Sequence, residues 1–223
     1  MGVSLFRPIL AGATWRGRAI GAAGALVCLA LTAALCAYAP LGAGLPAVVA
    51  PLGASAVLVF AVPASPLAQP WPVIGGNIVS AAVGVFVAHL IDDPMIGAGV
   101  AVGTAIAVMS ASRCLHPPGG GTALIPVLAG LGAPASDWMF PLLPVALNAA
   151  LLLGVAWIFH RFSGHRYPRI IAPAQTLQVS INDDDIAHAL SQLHEPLDVN
   201  AGDLRIIATL AAEHARSRAR TGR

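Results

Sequence analysis

The chain has no lysine, and only 10% of its 223 residues are Asp, Glu, Lys or Arg, against roughly 25% in an ordinary soluble domain. The shortage is concentrated: no charged residue occurs from position 19 to position 91. A soluble fold needs a charged skin, and this stretch supplies none. That excludes a soluble enzyme. The formal net charge of +2 lacks the basic footprint of a nucleic-acid binder, so nucleic acid is not an expected partner. The three cysteines, Cys28, Cys36 and Cys114, have no CxxC spacing and fall in or beside apolar runs. They read as small apolar residues, not as disulfides or a zinc site. No phosphate-binding GxxxxGK[ST] loop is present to drive a pump. The apolar part also lacks paired carboxylates or a Ser/His/Asp set, so no cofactor and no enzyme activity are expected.

What is abundant is apolar sequence, 57% of the chain. Prolines, glycines and a few charges cut it into six runs, 19–38, 45–62, 73–91, 95–111, 119–133 and 139–159. The first has 20 residues, too long for the core of a signal peptide and sufficient to cross about 30 Å of hydrocarbon. If all six cross from a cytoplasmic N-terminus, Arg7, Arg16, Arg18, Arg113, Arg161, Arg166 and Arg169 all fall on the cytoplasmic side, as the positive-inside rule requires. Asp92, Asp93 and Asp137 then fall outside. Trp15, Trp71, Trp138 and Tyr38 sit at run ends, which suits interfacial anchoring. The expectation is a multi-pass protein of the cell inner membrane with both termini cytoplasmic. It divides into a short N-terminus (1–18), a transmembrane domain (19–160) and a charged tail (161–223).

The run from Pro51 to Leu58 resembles the run from Pro118 to Ile125. Asn77 and His89 are spaced like Asn148 and His160. Three segments per half would make the two halves inverted repeats, a recurrent transporter design. In each half the middle segment is broken. Pro46, Pro51 and Gly53 confine helix in the second segment to its later part, and His116-Pro117-Pro118 cannot open inside a regular helix. Broken backbone at membrane depth belongs in protein or beside a wet cavity. Helix starts carry unpartnered N–H groups and partial positive charge, which favour an anion or a solute with acceptor oxygens.

These arguments select Pro51, Gly53, Ala54 and Ser55 in the first motif. In the second they select His116, Pro117, Pro118, Gly119, Gly120, Gly121 and Thr122. Ser55 and Thr122 are expected to cap the helices or donate hydroxyls. His116 can bond the solute, take up a proton, or cap local backbone. Arg113 attracts anions or sets topology. Asn77 and Asn148 join helices or line the site. His89 and His160 fall near segment ends, where wetted interfacial positions are expected.

The stretch from Ser112 to Leu124, SRCLHPPGGGTAL, resembles the HPP family of integral membrane proteins. So does Ala50 to Leu58, APLGASAVL, followed by PASPLAQP from Pro63 and by Gly75-Gly76. The resemblance covers roughly residues 14–163. It implies a four-helix membrane protein associated with transport, and plastid and cyanobacterial members are associated with nitrite. Gly119 and Gly121 stand where that family usually has Ala, and Asn77 where His is common.

In the tail, Asn182 followed by Asp183, Asp184 and Asp185 predicts a helix through Leu193, and Asn200 or Asp203 a second. The acid run reads as capping, not metal binding. The pair resembles the segment that precedes paired CBS domains in longer family members, and suits docking to a partner or pairing of two subunits as a homo-oligomer. The whole reads as an all-α polytopic membrane protein of six hydrophobic segments in two inverted three-segment repeats with broken half-helices, plus a short soluble helical tail. Its partners are the bilayer and a small anion. The alternative is a membrane-embedded sensor or scaffold signalling through the tail.

Overall fold

The computed structural model of the protein describes residues 14–38, 47–169, 203–204 and 206–209. The described chain is all-helical, and its helix boundaries follow local chemistry. Helix α1 (Trp15–Ala37) opens on Thr14, whose hydroxyl accepts from the Gly17 amide at 3.0 Å. Helices α2 (Pro51–Ala61), α3 (Pro70–Leu90), α4 (Pro94–Ala111) and α5 (Pro118–Ala129) all begin at proline, where its missing N–H costs nothing and its fixed φ suits the first turn. Asp93 caps α4 through the Met95 and Ile96 amides. Helix α6 (Leu147–Ser163) ends at Gly164 in the left-handed conformation, an ordinary helix stop. It continues a wide, proline-broken turn, Pro141–Ala146, interrupted at Leu143.

Four of these stretches are apolar and long enough to span a membrane: Trp15–Ala37, Pro70–Leu90, Pro94–Ala111 and Pro141–Ser163. The other two, α2 and α5, have 11 and 12 residues. At 1.5 Å per residue they are about 16 and 18 Å long, little more than half a hydrocarbon core. The element order is therefore long, short, long, twice over. This is a polytopic membrane protein in which four of the six apolar segments are full-length helices and two are half-helices.

Contacts fix the direction of each pass. At one end, the start of α1 meets the end of α2, with Gly21 against the Phe60 carbonyl. There His160 near the end of α6 bonds the Val59 carbonyl, and Trp71 at the start of α3 bonds the Ser112 carbonyl after α4. At the other end Asn148 reaches Cys36, Ala47 and Val49, while His89 stacks on Trp138. With their non-helical leads, α2 and α5 thus complete passes of alternating direction. Arg16, Arg18, Arg113, Arg161, Arg166 and Arg169 share the first end, and Asp92, Asp93 and Asp137 the second.

The core has two parts. One lies between α1, α2, α3 and α6 around Leu52, Phe60, Phe140 and Leu152. The other joins α3, α4 and α5 through small residues such as Ala101, Ala105 and Ala123. Large apolar side chains on the outside, among them Leu26, Leu35, Val57, Phe86, Ile106 and Leu128, are exposed, as lipid-facing residues are. Trp15, Trp71, Trp138 and Tyr38 are exposed at helix ends. The cysteines are free and buried. In the tail, the helix expected over 182–193 lies outside the described residues, and Asp203, Leu204 and residues 206–209 are helical.

Candidate functional site

The two half-helices pass each other in opposite directions at the centre of the bundle. Pro51 lies beside Gly121, and Ser55 beside His116, so their first turns overlap. The lead into α5 reaches this depth by a sharp turn after α4. Arg113 takes a φ of 55°, uncommon for a side-chain-bearing residue, and the Cys114 amide bonds back to the Met109 carbonyl at 2.9 Å. The lead then lies flat on α3 at Gly76, where a Cβ would stand 2.6 Å from the Cβ of His116 and 2.7 Å from the Cys114 carbonyl. Only glycine lets the two backbones come so close.

Four buried polar side chains meet here: Ser55 of α2, Asn77 of α3, His116 of the lead and Thr122 of α5. Their partners set the direction of each hydrogen bond. His116 Nδ1 is 2.9 Å from the Leu67 carbonyl, which only accepts, so Nδ1 carries the proton and Nε2 of the neutral ring accepts. Ser55 Oγ donates to Nε2 over 2.8 Å. Asn77 Nδ2 donates to Ser55 Oγ at 3.4 Å and to the Val73 carbonyl at 2.8 Å. Thr122 Oγ1 donates to Asn77 Oδ1 at 2.7 Å. The result is a one-way chain, Thr122 to Asn77 to Ser55 to His116 to Leu67, linking three helices and the α2–α3 loop. Every member has a partner, the condition for keeping polar groups inside an apolar core.

One expectation is corrected, and one of two alternatives falls away. The helix starts are not bare: Leu52 and Gly53 amides bond the Val49 and Ala50 carbonyls, and Gly119 and Gly120 amides bond those of His116 and Pro117. Pro51, Pro117 and Pro118 have no N–H to offer. Tight turns ahead of each proline thus use up the donors that the sequence seemed to leave free. Nor do Ser55 and Thr122 cap their helices. Each sits one turn in, 3.3 Å from the carbonyl of its own helix's first proline, Pro51 or Pro118, and turns its hydroxyl to the centre.

The other selected residues divide. Pro118 and Gly119 are buried beside the chain, Gly119 with Ser80 and the Gly76 carbonyl close by. Gly120 is half-buried and faces Val102 of α4. Ala54, Pro117, Arg113 and Gly121 are exposed, and Gly53 faces open space. Asn148 is not at this centre. It is fully buried at the far end, where it holds the lead into α2 by the Val49 amide (2.9 Å) and the Ala47 carbonyl (3.0 Å). His89 is exposed against Trp138. His160, expected at a wet interface, is instead 2% exposed, bonded to the Val59 carbonyl and stacked on Phe60.

Sequence reasoning missed Leu67, which takes part through its backbone alone, and Tyr167. The stretch after α6 folds back over the α2–α3 loop: Tyr167 donates its hydroxyl to the Ala68 carbonyl at 2.8 Å, and Arg169 bonds Gln69 and the Ala64 carbonyl. The loop that holds His116 on one side is thus held by the base of the tail on the other. Burial raises the Tyr167 phenol above its ordinary value of 10.0. An acid raised in the folded state contributes stability that is fully present below its unfolded pKa and lost as pH rises above it. Thermal unfolding in detergent should therefore show an extra alkaline loss of stability beginning near pH 10, smaller in Tyr167→Phe. That variant should cost about 1 kcal/mol at neutral pH. An identical alkaline profile for both proteins would remove Tyr167 from the account.

Fold and site together define a polytopic helical membrane protein with paired half-helices around a buried polar chain. It belongs to the HPP family: residues 11–168 match the transmembrane region of that family. It is similar to two transmembrane proteins of Dictyostelium discoideum, 38% identical over 120 and 123 residues. Each match covers 52% of this chain but only 42% and 38% of the relatives, so the chain spans less than half of either. No solved structure matches it.

Proposed function

We propose that the protein is a permease for a small anion, nitrite being the first candidate, and that the anion passes between the opposed starts of α2 and α5. The observation that carries this reading is the meeting of two half-helices of opposite direction at the buried Ser55···His116 contact of 2.8 Å. Paired broken helices whose starts meet near the middle of the bundle beside polar side chains are the pattern of transporter binding sites. In the arrangement described, those side chains satisfy one another, as a closed path requires. Parting α2 from α5 frees the Ser55 hydroxyl and one Asn77 N–H, and an anion's oxygens can take their bonds. Such neutral donors hold an anion without trapping it, which conduction demands. The anion's chemistry as nitrite comes from the family resemblance. The arginine-rich end is assigned to the cytoplasm of an inner membrane on the positive-inside rule.

Flux measured in liposomes containing the purified full chain tests this. Nitrite should cross faster than in protein-free vesicles. His116→Ala should lower the rate about tenfold, the worth of the one hydrogen bond that holds the Ser55 hydroxyl in place. Equal permeation of protein-free and loaded vesicles to every small anion tried would reject transport.

A further inference from the structure

The buried chain contains one titratable member, and its surroundings are arranged to tolerate a change in its protonation. His116 Nδ1–H is committed to the Leu67 carbonyl at 2.9 Å. Nε2 accepts from Ser55, whose hydroxyl has a second acceptor in reach, the Pro51 carbonyl at 3.3 Å. When a proton joins Nε2, the new N–H donates to Ser55 Oγ, and the Ser55 hydroxyl hydrogen turns to Pro51. Asn77 Nδ2 goes on donating to Ser55 Oγ. One hydroxyl rotation therefore leaves every group partnered in both states, so the ring can gain and lose a proton without unmaking the chain.

Among the described residues, what the ionised ring lacks is a counter-charge. Helices α2, α4 and α5 carry no Asp, Glu, Lys, Arg or His, and α3 carries only His89, at its far end. The loop over 62–69 is uncharged. The lead from 112 to 117 adds exposed Arg113 and the buried Cys114 thiol, and Arg169 reaches the Ala64 carbonyl of the Leu67 loop. Asp92, Asp93 and Asp137 are at the opposite end. The fixed charges on the elements around His116 are thus arginines, and a cation buried among neutral groups is costly unless it is paired. An anion that replaces Ser55 as α2 parts, accepting from Nε2–H and from the Asn77 N–H, supplies that pair, and the imidazolium in turn supplies the charge that the neutral amide lacks. Each favours the other's binding by the same factor.

Resting on the permease reading, we infer that His116 takes up a proton with each monovalent anion and releases both together, making the protein an electroneutral proton–anion symporter. No charge crosses in the cycle, because the proton gained at Nε2 balances the anion.

Liposomes containing the full chain, a trapped pH dye and a potassium diffusion potential set with valinomycin separate the outcomes. Nitrite entry above protein-free vesicles should acidify the lumen and proceed at the same rate at potentials of either sign. An imposed gradient of a single pH unit should accumulate nitrite about tenfold. His116→Gln, similar in size but unable to ionise, should lose that accumulation while still eluting as a monodisperse species. Nitrite entry driven by potential, without proton movement, in the unaltered protein overturns the symport inference and leaves the permease standing. Absence of entry for nitrite and every other small anion overturns the permease reading itself, and symport with it.

Discussion

Gly84→Leu should give a protein that fails to form a stable, monodisperse bundle, with Tm in detergent lowered by roughly 6–12 °C. Gly84 lies on α3 where α5 crosses it, and a Cβ there would overlap the Ala123 carbonyl. The obstacle is backbone, so no rotamer change relieves it, and α5 has to move bodily. Overpacking typically costs about 1–3 kcal/mol, and a helix-on-helix clash belongs at or above the top of that range. In a bilayer no hydrophobic effect presses the helices together, so close van der Waals packing of small residues carries the association. Because α5 also bears Thr122, moving it pulls apart the Thr122–Asn77 bond, and flux should be lost with stability. Gly154→Leu on α6, where nothing lies within 4 Å, is the matched comparison and should melt within about 2 °C of the unaltered protein. A Gly84→Leu protein with unchanged Tm would show that α3 and α5 do not pack at this distance.

The segment order was legible in the sequence because its signals are local. Proline at a first turn, glycine after a last one and runs of uncharged residues mark ends without reference to the rest of the chain. The half-helices were legible for the same reason, since Pro51 and Pro118 break the backbone wherever it lies. The polar centre was half legible. His116, Ser55, Thr122 and Asn77 stand out as polar residues in apolar surroundings, and burial brings such residues together. What the sequence could not show is which backbone groups they find. Leu67 contributes a carbonyl, and a carbonyl has no side-chain signature. The free amides expected at the two helix starts were misjudged on the same ground: whether a residue's N–H is spare depends on whether the preceding turn folds back over it, and at Val49, Ala50, His116 and Pro117 it does. Asn77 and Asn148 look equivalent by spacing yet do different work. The proline-broken entry to α6 has no counterpart in α3, so the two halves diverge in geometry where their sequences still correspond. His160 was placed by its nearness to a segment end, but α6 runs on to Ser163 and the chain folds back over it at Tyr167.

That difference between the asparagines sets the second large effect. Asn148→Leu should destabilise the protein by about 3 kcal/mol, close to the sum for two orphaned backbone groups at about 1–3 kcal/mol each. The amide of Asn148 satisfies the Val49 N–H and the Ala47 carbonyl, both in the non-helical lead that carries the chain into α2. Neither group has a helical partner, and leucine offers none. In membrane helices the loss of one interhelical side-chain bond often costs only about 0.6 kcal/mol, because other partners are found. Here the stranded groups are main-chain, fixed between α1 and α6, and water must enter or the lead must unfold. Either outcome loosens the end of the lead that sets the depth of Pro51, and with it the overlap of the two half-helices. Amide exchange over residues 47–50 should therefore quicken well before the helices melt, while Asn77→Leu, which leaves that lead intact, should not quicken it. Were the two variants to raise exchange there equally, Asn148 would be no clamp for α2, and the half-helix would owe its position to its packing on the neighbouring helices.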